Sequence, residues 1–434
     1  MKRYMYSMHH YTANVGRIQC ITPFMFAEVA PADTWSGVIG LLLRFSALKK
    51  ALLMDLHVDA FVVYVPHRLV WDGWEDFLAA GPNNSSITNP PTSSFTYPAL
   101  FYPVQATYSE LRLRAYNLFY NEFMRDEDEN ALSATFIPPE NPTAGSILGF
   151  RRFGLYAALK RDLVTELRND RETGDAATVD VTAGTPATVD ITEILEEVAK
   201  QKMQMRRATY GSRYYDILRG YGIRTNYQML QRPEIVAMAR SSVNITDVVA
   251  TDSGTGLGSL AGHGIDGLRI KIRKKQFPEH GTLMGVVCVR PVNVHPTTRD
   301  WFDIGRTFED YFEPGLACLP PREVQVQDFI NPDSNDTAPV GYTPWYQWYR
   351  KIPNRVALDL STQAAFTYGT SNWNASALIN IPYARRGLSL FAPTIYDNLF
   401  NDVSFGHYQL SAVNGLKKLS AVPKEMTSVV SKCP

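Results

Sequence analysis

The sequence predicts a mainly β chain in which one framework of strands is interrupted by a long segment carrying helices and loops. Three observations lead there. Apolar residues alternate in period two between about 13 and 66 and again between 281 and 421, whereas helical spacing is confined to the stretch between, about 67–280. The 27 prolines and 28 glycines are spread along the whole length, as many turns and ordered connections require. With 434 residues, 45% of them hydrophobic, there is material for a large core. Two separate domains would leave the first set of strands to bury its faces alone, so a single domain over 1–434 is expected.

The elements follow in order. Strand-like text begins at Ala13 with "VGRIQCITPF". In "MDLHVDAFVVYVPHR", Leu56, Val58, Ala60, Val62 and Tyr64 fall on one side of the pleat and His57, Asp59, Phe61, Val63 and Val65 on the other. Both sides turn apolar by Phe61, which predicts a strand buried centrally, and Pro66 ends it. In "SELRLRAYNLFYNEFM", Leu111, Ala115, Leu118, Phe119 and Phe123 recur at helical spacing behind a Ser109 cap. "SILGFRRFGLYAALKRDLVTELRND" is a second candidate helix, and "EILEEVAKQKMQMRRATYGSRYYDILRGYG" a third, stopped by Gly220 and Gly222. Between them "ATVDVT" and "ATVDIT", joined by "AGTP", read as a hairpin that either contacts a partner or is a solvated surface turn. Strands return at "TLMGVVCVRP", "REVQVQDF", "RVALDL", "ASALIN" and "SFGHYQLSAVNGLKKLS".

Charge and cysteine usage narrow the function. Lys+Arg and Asp+Glu are both 43, so the formal charge is zero. A chain that neutralised a nucleic acid unaided would be markedly basic. Cys20, Cys288, Cys318 and Cys433 lie far apart without metal-site spacing and read as reduced thiols. The opening "MKRYMYSMHH" has no apolar core, and "GVIGLLL" and "AFVVYV" fall short of a bilayer span, so synthesis in a cytoplasm-like compartment and no membrane partner are expected.

The tempting motifs are weak. Gly256-x-Gly258-x-x-Ala261 within "VVATDSGTGLGSLAGHG" fits a dinucleotide-binding pattern, which needs a helix directly after it. Here Gly262, Gly264 and Gly267 break any helix, and Leu268, Ile270 and Ile272 alternate with Arg269, Lys271 and Arg273 as a strand. The segment reads as a connector that holds no nucleotide. The alternation puts Arg269, Lys271 and Arg273 on one face, with Lys274 and Lys275 beside them: either a track for a phosphate backbone or a solvated sheet face. "RDEDEN" lacks the glycine and alternating ligands of a calcium loop. His57, His67, His280, His295 and His407 share no ligand spacing, and no serine lies in a nucleophile elbow. No catalytic residue and no cofactor are expected, and the sequence leaves metal binding open.

At "DAFVVYVPHRLVWDGWEDFLAAG", Asp59 to Gly81, the chain resembles the major capsid protein of the small icosahedral single-stranded-DNA bacteriophages, the Microviridae. "GRIQCITPF" with "PADTW", "RYYDILRGYGIRTNY", "FPEHGTLMGVVCVRP", "LPPREVQVQDF" and "GYTPWYQWYRKIPNRV" agree in the same order, so the resemblance covers nearly the full chain.

The resemblance implies an eight-stranded antiparallel viral jelly roll with long loop insertions containing several α-helices. It implies a T=1 shell of sixty copies around a circular single-stranded DNA, assembled in the bacterial host cytoplasm. Implied partners are identical subunits, the genome, a small basic DNA-binding protein, an internal scaffolding protein and, in some branches, spike and external scaffolding proteins. A basic companion would let the shell protein stay neutral. The chain lacks the long central insertion of the gokushovirus branch; only the short hairpin near Thr178 stands there. Aromatic loops are the candidate adhesive between subunits: Trp71, Trp74, the run containing Phe95 and Tyr97, and Trp345, Trp348 and Tyr349, each with core packing as its alternative. The rival class is a β-sandwich carbohydrate-binding protein or glycoside hydrolase, whose exposed Trp and Tyr would stack on sugars. Sedimentation of the native material separates a shell from a small saccharide-binding oligomer.

Overall fold

The computed structural model describes residues 3–48, 55–79, 89–94, 107–125, 154–158, 218–219, 231–249, 260–292, 307–316, 322–325, 339–352, 354, 396–397, 400, 402–404 and 406–422. In chain order the strands are β1 (Tyr4–Ser7), β2 (His10–Gly16), β3 (Ile21–Val29), β4 (Thr34–Phe45), β5 (Leu56–Pro66), β6 (Thr92–Ser94) and β7 (Thr107–Ser109), with helix α1 (Trp74–Ala79) between β5 and β6. Helix α2 (Leu111–Phe119) runs into a π-helical turn, Tyr120–Met124. Then come β8 (Glu234–Ser242), β9 (Asn244–Val249), β10 (Leu260–Gln276), β11 (Gly281–Pro291), β12 (Arg322–Gln325), β13 (Pro339–Thr343) and β14 (Tyr408–Ser420).

Two antiparallel sheets carry the fold. One runs β1-β14-β4-β10-β9, with β2 sharing the β14 edge; the other runs β3-β11-β5-β8. Their inner faces meet in one core: Trp35, Ile39, Leu43, Ile270, Leu410 and Tyr408 from the first sheet against Phe24, Val58, Val62, Leu283 and Val287 from the second. In the six-stranded sheet alternation supplies this core, and burial switches residue by residue along 408–417 of β14 and 264–273 of β10. Asn14 Nδ2 donates to the Pro23 carbonyl at 2.9 Å where β2 meets β3. On the opposite side Ser241 Oγ of β8 donates to Asp266 of β10 at 2.7 Å, and Lys275 pairs with Glu234. This is a jelly-roll-type sandwich, as the sequence predicts.

The sheets differ in what covers them. The outer face of the four-stranded sheet, Ile21, Val63, Val65, Met284, Val286 and Cys288, packs under α2 through Leu113, Tyr116, Phe119 and Tyr120. The central strands β5 and β11 are therefore buried on both faces, which explains their nearly unbroken apolar text. Tyr116 pins the layer by donating to the Ile21 carbonyl at 2.7 Å and accepting the Leu155 N–H at 3.0 Å. Burial pushes its phenol well above the usual range.

Two expectations need correction. The framework does not resume at 281: β8, β9 and β10 lie within 67–280 and occupy both sheets, β10 pairing with β4 and β8 with β5. The segment read as a connector is two paired strands at its ends, with Val248 opposite Ala261 and Ile245 opposite Gly264. Glycines hid this alternation, because they contribute no apolar side chain; at Gly264 a Cβ would sit 3.1 Å from the Phe45 ring. Within 109–124 the helix is confirmed, although its N-cap position is Glu110, without a side-chain cap bond, instead of Ser109, and the last turn is π-helical. Of the second candidate helix the described part, 154–158, is not helical: Tyr156 bridges Cys20 antiparallel. The rest of it, the third candidate apart from 218–219, and the hairpin at 177–192 lie outside the described residues.

Candidate functional site

Two kinds of surface stand out: a bare basic sheet face and clusters of aromatic side chains. Among the described residues, no helix covers the outer face of the six-stranded sheet. Leu268, Ile270 and Ile272 of β10 point into the core, so Arg269, Lys271 and Arg273 project outward and are exposed. The pairing register sets Arg269 beside Gly40 and Lys271 beside Val38. On β14, Val413 lies opposite Gly40 and Lys417 opposite Ser36. Tyr11 of β2 lies opposite Val413, with its hydroxyl donating to Ser411 Oγ at 3.1 Å. Arg44 adds a further exposed guanidinium. A Cβ built at Gly40 or Gly267 would meet nothing within 4 Å, so the middle of this face is a shallow open floor.

Of the predicted basic residues, four are exposed and one is engaged. A bulge between Ile272 and Lys275 interrupts the register with β4, leaving Arg273 and Lys274 in solvent and turning Lys275 toward Glu234 of β8. Among the described outward positions of β1, β2, β4, β10 and β14, none carries a carboxylate. The face is thus positive although the whole chain is neutral.

The first aromatic cluster closes the end of β5. Trp74 lies 4.6 Å from the His67 ring, 6.3 Å from Trp71 and 5.7 Å from His280. Trp71 and Trp74 are both half-buried, and Leu78 beside them is exposed. Ion pairs brace the cluster: Glu28 receives His67 at 3.2 Å and Arg112 at 3.0 Å, and Arg68 meets Glu279 at 2.6 Å. Burial pushes the Glu28 carboxyl up, but the His67 and Arg112 bonds outweigh it and hold the group below its ordinary value. Burial, with the charge of His67, lowers His280.

The second cluster is a small unit built on the β12–β13 hairpin. Arg322 of β12 pairs with Asp310 and lies 5.5 Å from the rings of both Trp345 and Trp348. Trp348 is buried, so the structure places it inside this unit; Trp345 is half-buried and Tyr349 exposed. Phe95 and Tyr97 lie outside the described residues. Phe308, Tyr311 and Phe312, which sequence reading passed over, are exposed, and the Phe312 ring lies 6.1 Å from Tyr349. Their only signal was three aromatics in a short polar stretch.

The family described as Capsid protein (F protein) matches residues 1–147 and 163–374. Capsid protein F of Escherichia phage G4 is 26% identical, over 99% of this chain and 98% of its own. Capsid protein F of Enterobacteria phage phiK is 24% identical over 82% of this chain and 81% of its own. Capsid protein VP1 of Chlamydia phage 1 is 21% identical over 83% and 85%. Matched by this family along most of its length, the chain belongs to the phage F capsid proteins, the major capsid proteins of the Microviridae.

Proposed function

We propose that this capsid protein closes with identical copies into a T=1 shell of about sixty subunits, its six-stranded sheet turned toward a circular single-stranded DNA genome. The observation that carries the orientation is the asymmetry of the sandwich: one outer face is sealed by α2, and the other is bare and positive. Arg44, Arg269, Lys271, Arg273, Lys274 and Lys417 give phosphate contacts without sequence readout, and Tyr11 gives a ring on which a base can stack. Lys275 acts in folding, through Glu234.

The neutral total charge supports a division of labour, in which a small basic DNA-binding protein supplies most of the counter-charge. Internal scaffolding protein, and spike or external scaffolding proteins where present, are the further partners of this reading, with assembly in the host cytoplasm. The chain carries out no reaction of its own. Subunit contacts run through the aromatic clusters at the half-buried Trp71 and Trp74 and the exposed Tyr349, each modest enough to dissociate when wrong.

Electron cryomicroscopy of purified particles tests this directly. Nucleic-acid density against β10 and Tyr11 is expected. Density that touches only the α2 side, or native material that sediments as a small saccharide-binding oligomer, would overturn the reading.

A further inference from the structure

We propose that the unit formed by residues 307–316, 322–325 and 339–352 is an isologous contact, placed across a two-fold axis between two copies of this chain; this rests on the shell reading above. Residues 307–315 are exposed throughout except Asp310, yet their backbone is fixed. Thr307 and Asp310 form a capping box, with Thr307 N–H on the Asp310 carboxylate at 2.9 Å, and Arg322 holds that same side chain. Tyr346 Oη accepts the Glu313 N–H at 3.1 Å and donates to the Tyr311 carbonyl at 3.1 Å. Tyr349 Oη accepts the Phe312 N–H at 3.3 Å.

These bonds hold large apolar groups outward. Phe308 is 75% exposed, Tyr311 53%, Phe312 56%, Tyr349 47% and Ile352 82%. Preorganised exposed aromatics form a docking surface with little ordering left to do on binding. The rim identifies the occupant. Glu309 and Glu313 are exposed beside the aromatics, Arg350 is exposed directly after Tyr349, and none of the three has an ion pair among the described residues. A patch bearing both signs around an apolar centre complements itself under two-fold rotation, each copy's glutamates facing the other's Arg350. A nucleic acid would meet two carboxylates there, and a uniformly basic partner would meet Arg350.

Charge reversal in the full chain, co-expressed with its assembly partners, tests the proposal. Glu313→Arg and Arg350→Glu should each lower particle yield roughly ten-fold or more, because each sets like charges opposite one another. The subunits should keep their circular dichroism and melting midpoint, since both side chains are exposed. Co-expression of the two single variants, and the double variant alone, should both restore particles. Single variants that assemble at parent yield, or failure of both restorations, would overturn the two-fold contact. If the parent chain builds no closed particle, the shell reading itself fails. Sedimentation of free subunits then decides the contact: dimers lost in each variant and regained in the mixture uphold it, and monomers throughout refute it.

Discussion

His407 Nε2 and Asp397 Oδ1 lie 2.7 Å apart, and Nδ1 of the same ring accepts the Ile18 N–H at 3.0 Å. The acceptor role of Nδ1 fixes the neutral tautomer, with the proton on Nε2. Phe400 stacks on the ring at 4.8 Å, and Arg17 approaches Asp397 at 3.5 Å. Burial lowers the imidazole to about 4, against the opposing pull of Asp397. The folded value is thus below the unfolded one, so between pH 6.5 and about 4 the unfolded chain binds the extra proton. Stability should fall across that window by about 3 kcal/mol and level off below it. Denaturant titration of dissociated subunits at several pH values checks this, and His407→Gln should flatten the slope.

Asp59 joins three strands of the covered sheet. Its carboxylate is 2% exposed and receives Arg290 of β11 at 2.5 Å and Arg240 of β8. Burial pushes this carboxyl up, but the Arg290 and Arg240 guanidiniums outweigh it and hold it below the ordinary range. Asp59→Asn leaves two guanidiniums facing one another and should cost about 3 kcal/mol or more, read as a lower urea midpoint. Arg240→Gln should cost less, because that side chain is 57% exposed.

The triple variant Arg269→Gln, Lys271→Gln, Arg273→Gln should weaken single-stranded DNA binding and reduce the salt slope by about two to three units. Filter binding across a salt series measures it. Lys275→Gln should leave that slope in place and instead lower stability by about 1 kcal/mol or less, because its partner is Glu234. An unchanged slope in the triple variant would remove β10 from the genome-facing surface.

Trp348→Ala should cost about 3 kcal/mol or more within the 307–352 unit, since the indole is 5% exposed and lies against Arg322. Assembly should then fail together with local folding, seen as rapid proteolysis of that unit. Phe308→Ser should change folding by no more than about 0.5 kcal/mol, and any loss of particles then reports the contact alone.

Legibility in the sequence followed alternation. Leu56 to Pro66 and Leu268 to Ile272 declared their faces, because a strand buried on one or both sides writes its environment in period two. Pairing partners were not legible: nothing in the text joins Lys271 to Val38 across more than two hundred residues. Trp348 and Tyr349 are neighbours of one chemical type, and tertiary packing, with Arg322 and Tyr346 against the Trp348 indole, decides which is buried. The bulge that turns Lys275 toward Glu234 is likewise a tertiary choice, which overrides the even spacing of the basic run.

Tyr4 of β1 pairs with Ser420 of β14, and β14 lies between the N-terminal strands and β4. A ribosome-tethered chain cannot complete the six-stranded sheet until β14 has emerged, because among the described residues β1 and β2 pair with β14 alone. Nascent subunits therefore lack the finished six-stranded sheet, and with it the full row of outward basic side chains, until β14 has been made.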